Sequence, residues 1–207
     1  NNVNSDSNML PRNKTENLLP YDGYVAFDPS FIDVTMQAYY MDVFSNTIPW
    51  QSDRIVIFGK TIYTQRKTAL FGDSGLTYTY SGTKRQCEIW NQDLLNLKAK
   101  LEDQLHETFN SCLLNYYPDG TTAMGWHSDD ERDLIANGTI ATLSFGATRK
   151  FNLKHNETKN KVSFELHAGS LLVMKDETQQ FWKHNISKTK KVTTPRISLT
   201  FRQLIKH

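Results

Sequence analysis

The sequence is poor in cysteine, in long apolar runs and in net charge, and each shortage excludes a class of protein. Two cysteines among 207 residues, Cys87 and Cys112, exclude a disulfide framework and a cysteine-rich metal site. No apolar run approaches the length of a membrane-spanning helix, so no membrane partner is expected. A net charge of +2 permits a nucleic-acid partner without indicating one, and such a partner has to be identified from local patches.

Length and apolar content predict one folded domain. A hydrophobic fraction of 38% over 207 residues supplies a sizeable core. Residues 1–16 are polar and predict a disordered tail, which leaves residues 17–207 as the single domain. We expect a monomer, because nothing in the sequence requires a partner chain. The few cysteines suit a reducing compartment, so we expect an intracellular protein, cytoplasmic in a bacterium or nuclear in a eukaryote.

Two helices are predicted to precede a series of short strands. Asp28-Pro29 predicts the start of a helix over residues 28–46, and apolar residues three or four apart predict an amphipathic helix over residues 88–109. Between them, two strand-like runs, RIVIFG and LTYTYSG, flank what reads as a basic loop, KTIYTQRKTALFGDSG. After residue 111 the short strands are SCLLNYY, TIATLSF, ATRKFNL, KVSFELH, SLLVMK and RISLTFR. This pattern is typical of an α+β fold, a jelly roll of two antiparallel sheets with helices on one side.

The segment WHSDDE places His127 and Asp129 two residues apart. Such a pair is common in surface loops and indicates a metal site only if a further ligand converges on it. Among the other histidines, His184 is the best candidate, because it follows Phe181-Trp182 and precedes a strand that carries two arginines. Two histidines and one carboxylate on one face of an ion are typical of non-haem Fe(II) oxygenases.

The strand RISLTFR carries its polar residues on one face. Side chains alternate along a strand, so Arg196, Ser198, Thr200 and Arg202 share a face opposite the apolar residues. If that face lines a barrel interior, two enclosed guanidinium groups require an anionic partner, and a bound dicarboxylate fits. The alternative from this strand alone is a half-exposed strand whose arginines lie in water.

Taken together, these motifs resemble a known family. The order His127-x-Asp129, His184, then two arginines six apart resembles the Fe(II)/2-oxoglutarate dioxygenases. The segments NYYPDGTTAMGWHSDDE, TIATLSFGATRKF and PRISLTFR resemble the AlkB family of nucleic-acid demethylases. IFGKTIYTQRKTALFGDSGLTYTYSG is similar to the nucleotide-recognition lid of the DNA-repair branch of that family. The resemblance implies a double-stranded β-helix (jelly-roll) core over residues 111–205 and a lid over residues 53–82.

The resemblance also implies a role for individual residues. Arg196 binds the distal carboxylate of 2-oxoglutarate, and Arg202 binds the carboxylate near the metal. Ser198, where relatives often carry Asn, departs from the family pattern. The implied Fe(II) ligands are His127, Asp129 and His184. The implied cosubstrate pocket consists of Asn115, Tyr117, Arg196, Ser198, Thr200 and Arg202.

On the substrate side, each residue has a functional and an ordinary interpretation. By resemblance, Tyr80 stacks the flipped base against His127, Tyr78 hydrogen-bonds near it, and Asp130 and Glu131 read the damaged base. Without the resemblance, the tyrosines are more often hairpin packing, and the acids more often a solvated loop.

Two lid residues are predicted to contact nucleic acid outside the base pocket. Phe58, at a predicted hairpin tip, fills the gap left by the flipped base. Arg66, with Lys67, contacts phosphate in what is otherwise a solvated basic loop. Lysines at positions 183, 188, 190 and 191, near the segment that carries His184, are expected to extend this basic patch.

The function that the resemblance implies is oxidative demethylation of N-alkylated bases in single- or double-stranded DNA. The expected lesions are 1-methyladenine and 3-methylcytosine, and the products are succinate, CO2 and formaldehyde, with Fe(II), 2-oxoglutarate and O2 as reaction partners. One alternative is a dioxygenase of the same class that acts on RNA or on a small molecule. The other is a non-catalytic nucleic-acid-binding protein.

Overall fold

The structure is a computed structural model that describes residues 13–80 and 83–207, without the side chains of Ile55 and Tyr80. Within these residues the chain forms three helices and fourteen strands. In chain order they are β1 (Tyr24–Asp28), α1 (Val34–Thr47), β2 (Gln51–Ile57), β3 (Lys60–Gly72), β4 (Thr77–Tyr80), β5 (Thr83–Gln86), β6 (Glu88–Ile89), α2 (Gln92–Leu105), β7 (Ser111–Tyr117), β8 (Met124–His127), β9 (Ile140–Gly146), β10 (Arg149–His155), β11 (Lys161–Leu166), β12 (Leu171–Lys175), α3 (Thr178–Phe181), β13 (Trp182–Ile186) and β14 (Arg196–Arg202).

Two antiparallel sheets form the body of the fold. The larger sheet has the order β1-β12-β9-β14-β7-β3-β2, with β6 paired in parallel to β3. The smaller sheet has the order β11-β10-β13-β8. Apart from the consecutive pairs β2–β3 and β10–β11, neighbours in both sheets come from distant parts of the chain, which is the topology of a jelly roll and confirms the predicted fold class. Four strands of the larger sheet, β1, β2, β3 and β6, precede residue 111, where the core was predicted to begin.

Apolar side chains from both sheets pack together as one cluster. Phe27 of the larger sheet lies 5.7 Å from Phe164 of the smaller sheet, centroid to centroid. Leu153 and Trp182 belong to the same cluster and are fully buried. Replacing an aromatic side chain as buried as Trp182 with alanine costs about 3–5 kcal/mol. The cluster therefore fixes the distance between the two sheets, and with it the metal site described below.

The two long helices pack on one face of the larger sheet, as predicted. Phe44 of α1 lies 6.0 Å from Phe145 of β9, and Leu97 of α2 joins the cluster that contains Phe201 of β14. This face of β14 carries the apolar residues of RISLTFR. Its other face, with the arginines, is therefore turned away from the helices.

Both helices begin later than the sequence predicted. The side chain of Asp33 accepts a hydrogen bond from the Met36 backbone N–H at 2.9 Å and caps α1. Asp28, the predicted start, instead ends β1, and its carboxylate accepts from the Ser30 backbone N–H in the turn that follows. A prediction from Asp-Pro alone was therefore wrong, because the same residues also suit a turn.

The second helix matches its predicted periodicity over a shorter range. Asn91 caps it by accepting from the Leu94 backbone N–H at 2.8 Å, and His106 ends it in the left-handed region at φ 53°. The apolar positions Leu94, Leu97 and Leu101 are buried against the larger sheet, as an amphipathic helix requires.

The predicted basic loop is a strand. Residues 60–72 form β3, which pairs with β2 along one edge and with β7 along the other. Basic residues dominated the sequence pattern, but the second half of this segment is apolar and is buried by its pairing to β7. Phe58 and Gly59 connect β2 and β3 with φ of 49° and 75°, and such two-residue turns match the twist of a hairpin.

A second hairpin, β4–β5, completes the lid region. Its two strands pair from Thr77 opposite Gln86 to Tyr80 opposite Thr83. Residues 81 and 82, at the end of the predicted lid, lie outside the described residues. The hairpins together extend from residue 51 to residue 86, beyond the predicted bounds of 53 and 82.

The predicted strands SCLLNYY and RISLTFR match β7 and β14 residue for residue. Five short strands, β1, β5, β6, β8 and β13, were not predicted. Of the expected disordered tail, residues 1–12 lie outside the described residues. Lys14, which is described, forms an ion pair with Asp28 at 3.3 Å. No helix in the described part of the chain has the length and apolar character that crossing a membrane demands.

Candidate active site

Two strands of the smaller sheet bring the three predicted metal ligands together. His127 ends β8, and His184 lies directly opposite it on β13. Asp129 follows β8 after one residue, and its Oδ1 lies 3.5 Å from Nε2 of each histidine. The three possible ligand atoms all lie within 4.8 Å of one another. The sequence therefore identified three side chains that the fold places within reach of one ion.

Neighbouring groups orient the two imidazole rings. Nδ1 of His127 lies 2.7 Å from the Gly125 carbonyl oxygen. Because a carbonyl only accepts, Nδ1 carries the proton and Nε2 keeps a lone pair for a metal. The ring of His184 stacks on Phe151 at 5.1 Å. Its Nδ1 has no hydrogen-bond partner among the described residues, so packing rather than a hydrogen bond holds that ring.

The charges in this cluster favour an ionised carboxylate. Burial raises the pKa of Asp129, but the nearby imidazoles of His127 and His184 and the positive charge of Arg202 outweigh burial, so its pKa lies well below the ordinary value. Burial lowers the pKa of His184 below its ordinary value, which favours the neutral ring that a metal binds. For His127, burial lowers the pKa, but the contact with Asp129 outweighs burial and raises it, so this ring would lose its proton when a metal binds. Two imidazoles in their neutral form and one carboxylate are donors that a divalent first-row metal accepts.

The two arginines of β14 share one face, as the alternation predicted, and that face is enclosed, which decides against the half-exposed alternative. Arg196 and Arg202 are both 2% exposed. Arg196 donates to Ser144 Oγ at 2.9 Å, and its guanidinium lies over the Tyr117 ring, 5.3 Å from the centroid. Within the described ranges no carboxylate lies at ion-pair distance from Arg196, and its Nε has no hydrogen-bond partner. Burial lowers the pKa of Arg196, and an enclosed cation without an anion indicates a place for an anionic guest.

The other predicted pocket residues line the same face. Ser198 of β14 lies opposite Asn115 of β7 on one side and opposite Ser144 of β9 on the other, and all three are buried. One step along the strand, Thr200 Oγ1 lies 3.3 Å from Thr142 Oγ1. The two sheet neighbours of β14 therefore continue its polar stripe, which lies between the two arginines.

Arg202 links this stripe to the metal ligands. Its Nη1 lies 3.7 Å from Asp129 Oδ2 and 4.0 Å from Glu131 Oε2. Its Nε and Nη2 are buried without hydrogen-bond partners. Burial lowers the pKa of Arg202, but the negative charges of Asp129 and Glu131 outweigh burial and raise it. Part of this guanidinium therefore remains available to a further acceptor beside the metal cluster.

The predicted base-contacting residues separate into two groups. Tyr78 is buried, donates a hydrogen bond to Glu131 at 2.5 Å, and has Arg202 over its ring at 5.2 Å. Burial raises the pKa of Tyr78, so its hydroxyl stays protonated. Asp130 is exposed and makes no contact with this cluster. The side chain of Tyr80 lies outside the described residues, and its predicted stacking is not placed.

Phe58 is where the sequence predicted, but Arg66 is not. Phe58 is 101% exposed at the β2–β3 tip. Arg66 is buried and forms an ion pair with Asp53, and its Nη1 donates to Met124 Sδ at 2.8 Å. The prediction of a surface phosphate contact for Arg66 was therefore wrong for the observed conformation. The cause is that residues 60–72 form a paired strand and not a solvated loop, while Lys67 next to Arg66 is exposed.

Sequence reasoning missed a buried arginine, Arg149. Its guanidinium lies 5.6 Å from the Tyr117 centroid, and it donates to four backbone carbonyls, those of Asp119, Gly120, Thr122 and Ser187. It therefore joins the loop before β8 to the loop after β13. The only local signal was a basic pair beside an apolar residue in ATRKF. That signal did not show which of Arg149 and Lys150 would be buried.

Sequence reasoning also missed the support of the metal loop. Gln179 of α3 accepts a hydrogen bond from the Asp129 backbone N–H at 2.8 Å, and Ser128 donates to the Trp182 carbonyl at 2.8 Å. These bonds tie the loop that carries Asp129 to the segment that leads into His184. No sequence spacing predicts them, because the partners lie in distant segments.

Known proteins share this architecture and these segments. The chain matches the 2OG-Fe(II) oxygenase superfamily over residues 25–202. It is 39% identical over 160 residues to the DNA oxidative demethylase ALKBH2 of Bos taurus, which covers 73% of this chain and 58% of that protein. The ALKBH2 of Mus musculus is 38% identical over 160 residues, with 67% of that protein covered.

A second group of relatives has a different name. The alpha-ketoglutarate-dependent dioxygenase alkB homolog 3 of Mus musculus is 35% identical over 189 residues, covering 86% of this chain and 65% of that protein. The chain thus spans less than two thirds of the bovine ALKBH2 and of this second relative. Among solved structures, that of OsALKBH1 superposes with a TM-score of 0.63 at 15% identity, over 86% of this chain and 97% of that one, which supports the fold.

Proposed function

Because the chain belongs to the AlkB family of 2OG-Fe(II) oxygenases, we propose that it removes alkyl groups oxidatively from nitrogen atoms of bases in DNA. The observation that carries the proposal is the His127–Asp129–His184 cluster beside two enclosed arginines, one without a carboxylate partner. We propose 1-methyladenine and 3-methylcytosine as substrates, and succinate, CO2 and formaldehyde as products. The names of the relatives support a nucleic-acid substrate.

The residues present fit both groups that this chemistry requires. The cluster of two imidazoles and one carboxylate suits Fe(II), and the unpartnered guanidinium nitrogens of Arg196 and Arg202 suit the two carboxylates of 2-oxoglutarate. When bound, these groups supply the activation of O2 that oxidises the alkyl carbon. Asn115, Ser198 and Thr200 would line the cosubstrate between the arginines.

The protein's own contribution is to hold charges in place before the reaction. The stripe that carries Arg196 is buried, so its attraction for a carboxylate is stronger than it would be in water. Arg202 is held between Asp129 and Glu131, and the stacked ring of Tyr78 limits its movement. A cosubstrate would therefore meet donors that are already oriented, which lowers the entropy cost of binding.

Glu131 is the residue we propose to read the base. Its carboxylate is already within reach of Tyr78 and Arg202, at the edge of the metal cluster. Alkylation at a ring nitrogen makes adenine or cytosine cationic, and a partly buried carboxylate attracts a cation more strongly than a neutral base. We propose Asp130, which is exposed, for a contact at the rim rather than inside the pocket.

Phe58 is proposed as the residue that occupies the space of the extruded base. A fully exposed phenylalanine at a hairpin tip has no packing role in the free protein. Inserted into a duplex, its ring would replace the stacking that the flipped base loses. A nucleic-acid substrate also agrees with the proposed intracellular location.

The test is a repair assay with defined substrates. The protein is loaded anaerobically with Fe(II) and 2-oxoglutarate, air is admitted, and oligonucleotides that carry 1-methyladenine are supplied as single-stranded DNA, duplex DNA or RNA. Mass spectrometry reports the base and the succinate. We expect loss of the methyl group from DNA, and no loss with a chelator or with His184→Ala.

The outcomes separate the alternatives. Faster loss of methyl from RNA than from either DNA form would move the substrate to RNA. Succinate without demethylation would keep the oxygenase and reject the base substrate. Neither product from a protein that binds Fe(II) would reject catalysis at this site and favour a non-catalytic binder.

A further inference from the structure

Arg85 is a half-buried cation in the lid that the proposed mechanism has not used. It lies on β5 directly opposite Tyr78 of β4. Side chains of directly opposed residues in an antiparallel pair lie on the same face of the hairpin. Because Tyr78 is buried against Arg202 and Glu131, Arg85 also faces the site and not the solvent.

The contact that Arg85 makes places it at the mouth of the pocket. Its Nη1 donates to Thr68 Oγ1 at 3.1 Å. Thr68 of β3 lies opposite Asn115 of β7, which in turn lies opposite Ser198 of β14. Thr68 is therefore the outer continuation of the polar stripe, and Arg85 bridges from the lid to the end of that stripe.

The positive charge of Arg85 has acidic residues in its neighbourhood but no ion-pair partner among the described residues. Burial lowers its pKa, while the charges of Glu88, Asp53 and Cys87 act in the opposite direction. Glu88 is exposed, and Asp53 is already in an ion pair with Arg66. Across residues 13–80 and 83–207 no carboxylate lies within ion-pair distance, 4.0 Å, of Arg85. A guanidinium that is partly desolvated, held by one hydroxyl and without a carboxylate is suited to a bidentate oxyanion.

We propose that Arg85 binds a backbone phosphate of the nucleic-acid substrate, next to the extruded nucleotide. This inference rests on the proposed function, because it assumes that a base enters the pocket beneath the lid. A base that enters leaves its own phosphates at the rim, where Arg85 lies. The planar guanidinium of arginine also matches two phosphate oxygens, whereas the ammonium of lysine offers only a single point charge.

The experiment measures binding without turnover. A fluorescent oligonucleotide with one 1-methyladenine is titrated with metal-free protein at several NaCl concentrations, and anisotropy gives Kd. For Arg85→Gln we expect binding about tenfold weaker, and a plot of log K against log salt that is shallower by about 0.7 for single strands or 0.9 for duplex. Loss of one phosphate contact changes this slope, whereas a general loosening of the lid does not.

Matched variants complete the design. Lys84→Gln removes a neighbouring positive charge that is exposed and lies on the other face of β5, opposite Thr79, so we expect the wild-type slope. Arg85→Lys keeps the charge and is expected to keep the slope with weaker binding. Equal slopes for wild type and Arg85→Gln at the same melting temperature would overturn the proposal.

Two further outcomes distinguish this inference from the proposed function. A raised KM for 2-oxoglutarate with an unchanged salt slope would assign Arg85 to the cosubstrate and overturn the phosphate contact. The other outcome is a shallower salt slope for Arg85→Gln than for wild type, while the wild-type protein demethylates no oligonucleotide. That combination would support the phosphate contact and reject the demethylase function.

Discussion

Asp53 and Arg66 form a buried ion pair at the base of the hairpin that carries Phe58. The pair lies at an irregularity, because Ser52 of β2 pairs with Lys67 while Arg54 pairs with Tyr63. The same guanidinium reaches Met124 of the smaller sheet. One charged pair therefore fixes a protruding hairpin to both sheets.

Replacing Asp53 with asparagine should destabilise the protein by about 3 kcal/mol, because the guanidinium of Arg66 stays buried and loses its carboxylate. Urea unfolding followed by circular dichroism measures the change. Asp103→Asn on the exposed side of α2 is the control and should change the free energy of unfolding by less than about 0.5 kcal/mol. A destabilisation by Asp53→Asn as small as that of the control would show that the pair contributes nothing.

Gln179→Leu should weaken metal binding about 10- to 100-fold without removing a ligand. The variant deletes the acceptor for the Asp129 backbone N–H, so the carboxylate loses its fixed position. Anaerobic calorimetry with Mn(II) measures the affinity. Gln180→Leu is the matched control, since Gln180 bonds the exposed Asn137 and no metal ligand. The same loss in both variants would mean that the α3 turn, and not the Asp129 contact, is responsible.

Phe58→Ala should reduce repair of duplex DNA about tenfold or more and leave repair of single strands unchanged, because only a duplex has a stack to refill. Stability should not change, since the side chain is fully exposed. Repair rates on duplex and single-stranded DNA, measured with one preparation of each variant, give the duplex-to-single-strand ratio. Tyr63→Ala removes another exposed aromatic from β3 and should leave the ratio as it is. Equal losses on both substrates would contradict a wedge.

The carboxylate of Asp133 should make the free energy of unfolding depend on pH in the acid range. Its Oδ2 accepts from the Thr79 backbone N–H at 2.7 Å and its Oδ1 lies 3.1 Å from His207 Nε2, and the backbone bond is the larger cause of its lowered pKa. Because the pKa of Asp133 is lowered in the folded state, its ionised carboxylate stabilises the fold fully at a pH above the ordinary value of 3.8. This stabilisation is lost as the pH falls below that value.

Asp133→Asn should therefore be less stable than wild type at pH 6, and the difference should shrink as the pH falls below 3.8. Thermal unfolding across this range measures it. Asp130→Asn is the control, because Asp130 is exposed and should show no such trend. A difference that is independent of pH would exclude the charge of Asp133 as its source.

The sequence predicted the parts of the site that depend on local periodicity. Alternation along residues 196–202 placed both arginines on one face, and the His-x-Asp spacing singled out two candidate ligands at the end of one strand. His184 was chosen because it follows Phe181-Trp182 and precedes the arginine strand, and the pairing of β8 with β13 explains why it lies beside His127.

What the sequence could not predict depends on contacts between distant segments. Arg66 became an internal anchor only because Asp53 lies across the hairpin. Arg149 and Gln179 act through backbone atoms of other loops, and a backbone partner leaves no trace in residue type. The start of α1 was misplaced because a turn and a helix cap use the same residue types.

The opposition of His127 and His184 has a consequence for how the chain folds. The two strands are far apart in sequence, so their pairing is a long-range contact that closes a long loop, and β13 also pairs with β10 on its other edge. No fragment that ends before β13 can assemble the ligand set. A metal ion that binds only the finished cluster then stabilises the completed fold by mass action, and its occupancy reports whether β13 has paired with β8.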